Sequence, residues 1–165
     1  MRRSILVQFA CQHNDCGVCS LVNASRLLGI PLDYKTALVA TEFSDYGSTY
    51  RGSKWLSEHY PVEWQVWPIF DDNWPLRPVL DYEAETMRLW NAFKDRLLDG
   101  WIGITQHHWD DINDHAVVFS EYRDNQITVL CSMKGVYQIR PDWLRWKDYF
   151  QPIIFTNWLR KKATS

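Results

Sequence analysis

The segment Gln12–Leu21, QHNDCGVCSL, decides how the rest of the chain is read. It follows a short apolar run, Ser4–Phe9 (SILVQF), and holds Cys16-Gly17-Val18-Cys19, a C-x-x-C, inside an Asn-Asp-Cys-Gly that can open a helix. Asn14 and Asp15 are both N-cap residue types, Val18, Leu21, Val22 and Leu28 recur at helical spacing, and Gly29 supplies a stop. A helix is therefore expected from about Cys16 to Leu28, with Cys16 at its tip. The partial positive charge of the free N–H groups at such a tip favours thiolate over thiol. That property serves a redox dithiol and a lone nucleophile equally.

The chain has 165 residues, 46% hydrophobic and 23% charged, with a net charge of -2. These values fit one soluble domain over 1–165 and give no electrostatic reason to expect nucleic acid as a partner. The basic ends, Arg2-Arg3 and Arg160-Lys161-Lys162, read as solvated termini. Ten tryptophans are scattered along the chain, so most are expected in the core and at its rim, with the loops around Trp64 to Trp74 and Trp109 offering aromatic walls to a ligand. The N-terminal apolar run is too short for a signal peptide or a membrane span, which points to a cytoplasmic protein without membrane insertion. Three of the four cysteines crowd between positions 11 and 19 and the last is Cys131, a poor disulfide framework.

Beyond the opening segment, helical patterns cover about Tyr34–Glu42 and Arg51–His59, and VEWQVWPI reads as a strand. FDDNWPLRP is a loop, and the clearest helix, DYEAETMRLWNAFKDRLLDG, closes on Gly100. WIGIT, HAVVFSEY, QITVLCS and GVYQIR then form short β-type runs parted by RDN and MKG, followed by a short helix after Pro141 and a last strand, PIIFTNW. Helices first and an antiparallel meander second is an α+β layout, and SILVQF is expected as an additional short strand.

Three chemistries compete for Cys16. A thioredoxin-like dithiol places C-x-x-C at a helix start after a strand, but that fold continues in βαβ units, whereas here helices precede the strands. Zinc on Cys11, His13, Cys16 and Cys19 would lack a second distant ligand pair, so no metal and no cofactor is expected. Acyl transfer needs a base. His115 is the best placed histidine, because it opens the apolar run HAVVF just after the turn-like DDIND and can project from a sheet edge toward the tip of a facing helix. A histidine at a strand start is as readily a core or solvated residue. His13 is too close in sequence to Cys16, His59 ends a helix, and His107-His108 fall in a Trp-flanked loop.

Asp15-Cys16-Gly17 heading the helix VCSLVNASRLLGI, then helices, then His115-Ala116-Val117-Val118, then a strand ending shortly before Gly135, resembles the papain-like cysteine peptidases of the bacteriocin-processing type, which cut after double-glycine leaders. DYGSTYRGSKWL resembles that family's second helical segment, GWIGIT its strand before the histidine loop, and ITVLCSMKGVYQI the strand and turn after it. The resemblance implies a papain-like fold, an N-terminal helical half packed on a C-terminal antiparallel β-sheet. It further implies Cys16 as nucleophile, His115 as base, and an oxyanion held by the Cys16 N–H and an upstream glutamine, with a peptide or protein as substrate. The family's glutamine stands six residues before the cysteine, where this chain has Ala10, so Gln12 takes the role, with Gln8 the other nearby glutamine. The family's orienting aspartate, followed by proline, falls on Cys131-Ser132, leaving Asp114 or Ser132 as substitutes. The sequence accordingly reads as a cysteine hydrolase or acyltransferase acting on peptide or isopeptide bonds. A papain-like binding protein with a degenerate site and a C-x-x-C oxidoreductase are the alternatives.

Overall fold

In the computed structural model the first helix, α1 (Cys16–Leu27), forms where the apolar spacing places it and stops where Gly29 requires. Gly29 takes a left-handed φ of 67°. Its N–H donates to Arg26 at 3.0 Å and that of Ile30 to Ser25 at 2.8 Å, the paired closure that satisfies otherwise orphaned helix carbonyls. The structure describes residues 6–12, 14–43, 49–68, 82–108, 114–144 and 153–163. Two further helices, α2 (Tyr34–Ala40) and α3 (Thr49–His59), follow, with Asp33 capping α2 by accepting from the Thr36 N–H at 2.7 Å. After strand β1 (Val62–Pro68) comes α4 (Tyr82–Leu98), which ends at Gly100 with the same paired closure, Gly100 to Leu97 and Trp101 to Arg96. Of the stretches expected to offer aromatic walls, around Trp64 to Trp74 and Trp109, Trp64 lies half-buried in strand β1 rather than in a loop, and residues 69–74 and Trp109 lie outside the described residues.

Strands β2 (Ile102–His108), β3 (Asp114–Arg123), β4 (Gln126–Cys131) and β5 (Gly135–Ile139) form the expected meander. Asp124 and Asn125, at φ 51° and 57°, turn β3 into β4 in the conformation that asparagine and aspartate tolerate best. The last strand, β6 (Ile153–Lys161), does not extend the meander at its end. It inserts between β1 and β2, so the sheet order is β1-β6-β2-β3-β4-β5, antiparallel throughout.

The sheet is covered on both faces. Against one face α1, α2 and α3 bury Val18, Leu21 and Val22 over Ile104, Val118 and Leu130. Against the other, α4 and the 3-10 turn Pro141–Leu144 bury Leu89, Trp90 and Phe93 over Val117, Phe119, Val129, Cys131 and Trp158. The alternation of Val117 and Phe119 with Val118 follows from the two-residue period of a strand. Aromatic packing at the second face is dense, with ring centroids 5.0 Å apart for Phe93–Phe119 and 5.3 Å for Phe93–Trp158. Trp90, Trp101 and Trp158 are buried and Trp55, Trp64 and Trp143 half-buried, as expected of core and rim residues.

Two expectations are corrected. Residues 6–9 of the SILVQF run form no strand, because α1 and a turn take up their backbone groups. Gln8 N–H donates to Asn23 Oδ1 at 2.7 Å, Arg26 donates to the Leu6 carbonyl, and Ala10 N–H donates to the Ser132 carbonyl at 3.0 Å. His107-His108 lie in no loop but at the end of β2, paired with His115 and Asp114 of β3. No helix among the described residues is long and apolar enough to cross a membrane.

Candidate active site

The tip of α1 is shaped by Asp15. It occupies the N-cap position, yet its side chain does not cap the helix. Only 1% exposed, its Oδ2 accepts from the N–H of Cys11 at 2.8 Å, the N–H of Gln12 at 3.2 Å and the hydroxyl of Tyr34 at 2.6 Å. A buried carboxylate is tolerable only with such donors, and here they clamp the loop before Cys16 onto α2. Burial and this bond push the Tyr34 phenol well above its usual range, so Tyr34 stays a donor. Gln12 joins the same chain, its exposed amide donating to Tyr34 Oη at 3.2 Å. Gln8 turns elsewhere, its amide oxygen accepting from Arg26 at 3.2 Å.

Cys16 is half-buried at the helix tip. Its sulfur is acted on by the backbone N–H of Ala116 from β3 and by those of Gly17 and Cys16 itself, all favouring thiolate. Burial outweighs them, and with the neighbouring Asp15 charge it raises the thiol above its ordinary value. The helix tip alone predicts a depressed value, and the desolvated site reverses the sign. Cys19, one turn on, is fully buried and its thiol donates to the Phe9 carbonyl at 3.5 Å. Burial, reinforced by Asp15, pushes it far up, which suits a packed core thiol and opposes the ready deprotonation that an attacking dithiol partner needs.

His115 immediately precedes the Ala116 whose N–H meets Cys16, and is 5% exposed. Its ring lies on the α4 side of the sheet, in register with His107, their centroids 5.7 Å apart and perpendicular. His107 in turn packs edge-on to Trp143 at 4.9 Å. His115 Nε2 is 3.2 Å from the sulfur of Cys131, which also accepts from the Met133 N–H at 3.4 Å. Burial, then the nearby His107 and Lys134 charges, lower His115 to about 4, so the imidazole is neutral at physiological pH. The hydrogen bonds of the described residues include none between Cys16 and His115. The Ser132 hydroxyl is buried with no hydrogen-bond partner among the described residues, and the Asp114 side chain lies outside them. No group of three or more His, Cys, Asp or Glu that could hold a metal occurs among the described residues, and His13 is not among them.

Thus Cys16 and the His115 strand are brought together through Ala116, and Gln12 is drawn toward Tyr34. Two neighbours of the site had no separate role in the sequence reading. His107 was legible as a continuation of the WIGITQH run, and Cys131 as the position of the family's aspartate.

No family model and no curated protein matches the chain. Among solved structures it is similar to a double-glycine-motif protease from an AMS/PCAT transporter in complex with the leader peptide, with a TM-score of 0.60 and 17% identity over 98% of this chain and 93% of that one. It is also similar to the peptidase domain of Streptococcus ComA, a bifunctional ABC transporter involved in a quorum-sensing pathway, with a TM-score of 0.64 and 13% identity over 96% of this chain and 100% of that one. The chain has an α+β papain-like fold. In this papain-like frame α1, which bears Cys16, packs on β3, which bears His115.

Proposed function

We propose that the chain is a cysteine-nucleophile hydrolase or acyltransferase acting on peptide or isopeptide amide bonds, with Cys16 as nucleophile and His115 as base. What supports this reading is Cys16 at the tip of α1, a helix packed on β3, together with His115 at the start of β3, whose Nε2 lies 3.2 Å from the Cys131 sulfur. Nδ1 is then the nitrogen that takes the proton of Cys16. In the first step the thiol proton passes to His115 as sulfur bonds to the carbonyl carbon. The oxyanion is held by the Cys16 N–H and by the Gln12 amide, which turns from Tyr34 to reach it. Collapse breaks the C–N bond, the amine leaves with the proton from His115, and water or an acceptor amine then resolves the thioester. The leader peptide bound to the similar AMS/PCAT protease supports an extended peptide as substrate class. Four free thiols suit a reducing, cytoplasmic setting.

The test is acylation by an activated ester, followed by intact mass and peptide mapping. Wild type should carry one acyl group on Cys16, Cys16→Ala none, and His115→Ala should acylate about 100-fold more slowly. Equal labelling of wild type and Cys16→Ala would refute the assignment. The replacement of a carboxylate by Cys131 favours one other reading, a papain-like binding protein, for which neither substitution changes the measured behaviour.

A further inference from the structure

The imidazole of His115 lies against the sulfur of a wholly buried cysteine. Cys131 is 0% exposed, the last residue of β4, and its sulfur stands 3.2 Å from Nε2. The same sulfur accepts the Met133 N–H at 3.4 Å, so the turn after β4 already uses it as an acceptor. A neutral imidazole carries one proton, and the nitrogen that lacks it is the only base the ring offers. If the S–H donated to Nε2, the proton would sit on Nδ1 and the ring could not accept from Cys16. If Nε2–H donates to the sulfur, Nδ1 keeps its lone pair, and this is also the tautomer that free histidine prefers.

We infer that Cys131 is the positioning residue of this site, its sulfur accepting the Nε2–H of His115 and so fixing the tautomer and ring orientation that present Nδ1 to Cys16. The inference rests on the proposed Cys16–His115 reading and deepens it. A thiol sulfur is a weak, uncharged acceptor, so unlike a carboxylate it orients the ring without stabilising an imidazolium. The lowered His115 value agrees with that difference. The titratable groups around this imidazole are His107 from β2, Lys134 from the turn after β4, Cys131 itself and Tyr137 from β5. Tyr137, pushed up to about 12 by burial and by Cys131, stays uncharged across the working range, and the 3-10 turn contributes the ring of Trp143 through His107.

The experiment is 15N NMR of histidine-labelled protein, which reads the tautomer and titration of His115, alongside the pH profile of Cys16 alkylation, for wild type, Cys131→Val and Cys131→Asp. Wild type should show His115 protonated at Nε2. Cys131→Val, close in volume, should relax His115 from a single tautomer to the mixture of free histidine, with a detectable Nδ1–H fraction, and lose the alkylation supported by His115 below pH 8. Cys131→Asp should raise the His115 titration midpoint and speed alkylation near pH 6 about tenfold, as a carboxylate beside an imidazole does. A wild-type His115 protonated at Nδ1, or a Cys131→Val protein with unchanged tautomer and profile, would overturn the inference. A wild-type His115 protonated at Nδ1 decides against the inference even if a variant fails to fold. An Nε2–H tautomer in a protein whose Cys16 never acylates would instead count against the proposed function and leave the contact intact.

Discussion

The two sides of the α1 tip are built with opposite chemistry. Asp15 holds a buried carboxylate satisfied by three donors from the preceding loop and α2, whereas His115, across the edge of β3, has a thiol where a carboxylate would polarise it. The Asp15 carboxylate therefore serves the scaffold, and the His115 imidazole is left neutral. On the proposed reading, the proton of the thiol moves to the neutral imidazole during attack rather than before it.

The contrast can be broken in graded ways. Cys16→Ala should remove acylation completely while leaving the urea midpoint nearly unchanged, since a half-buried side chain at a helix tip contributes little to packing. Asp15→Ala strands three donors and should cost about 4 kcal/mol in urea unfolding, with loss of order in the loop before Cys16. On the imidazole side, His115 titrates at about 4 in the folded chain and near its ordinary 6.5 when unfolded. The unfolded chain thus binds more protons between these values, so the stabilisation is complete above pH 6.5 and is lost as pH falls toward 4. The loss is on the order of 3 kcal/mol, and His115→Gln should flatten that part of the stability profile. Tyr34→Phe should cost about 1.5 kcal/mol by removing one donor to the carboxylate. Cys19→Ala, a small cavity in the core, should cost about 1 kcal/mol and leave Cys16 acylation at the wild-type rate, whereas a dithiol mechanism would lose its activity.

Much of this was legible in the sequence for stated physical reasons. Gly29 and Gly100 closed their helices because only a left-handed residue completes the paired closure there. The alternation of HAVVFSEY placed Val117 and Phe119 on one face and Val118 on the other. The insertion of β6 was not legible, since strand order depends on long-range pairing that no local pattern records. SILVQF misled because β propensity says nothing of the Asn23 and Arg26 side chains that take up its backbone. At the candidate site, Cys16 and His115 could be proposed from their positions, but the sign of the Cys16 shift could not be read. Helix-tip charge is a local property, while desolvation depends on how β3 and α1 close over the sulfur. Likewise Cys131 read as a lost carboxylate, and only its 3.2 Å approach to Nε2 gives it a role.

The central claim is that Cys16 reacts with the help of His115, and the most direct measurement is the pH dependence of Cys16 alkylation, resolved by mass spectrometry, in wild type and His115→Ala. The account predicts a wild-type rate that is flat from about pH 5 to 8, where the imidazole is neutral and takes the thiol proton, and that rises again above the ordinary thiol range. In His115→Ala the flat region should vanish, leaving the single alkaline rise. Superimposable profiles for the two proteins would contradict it.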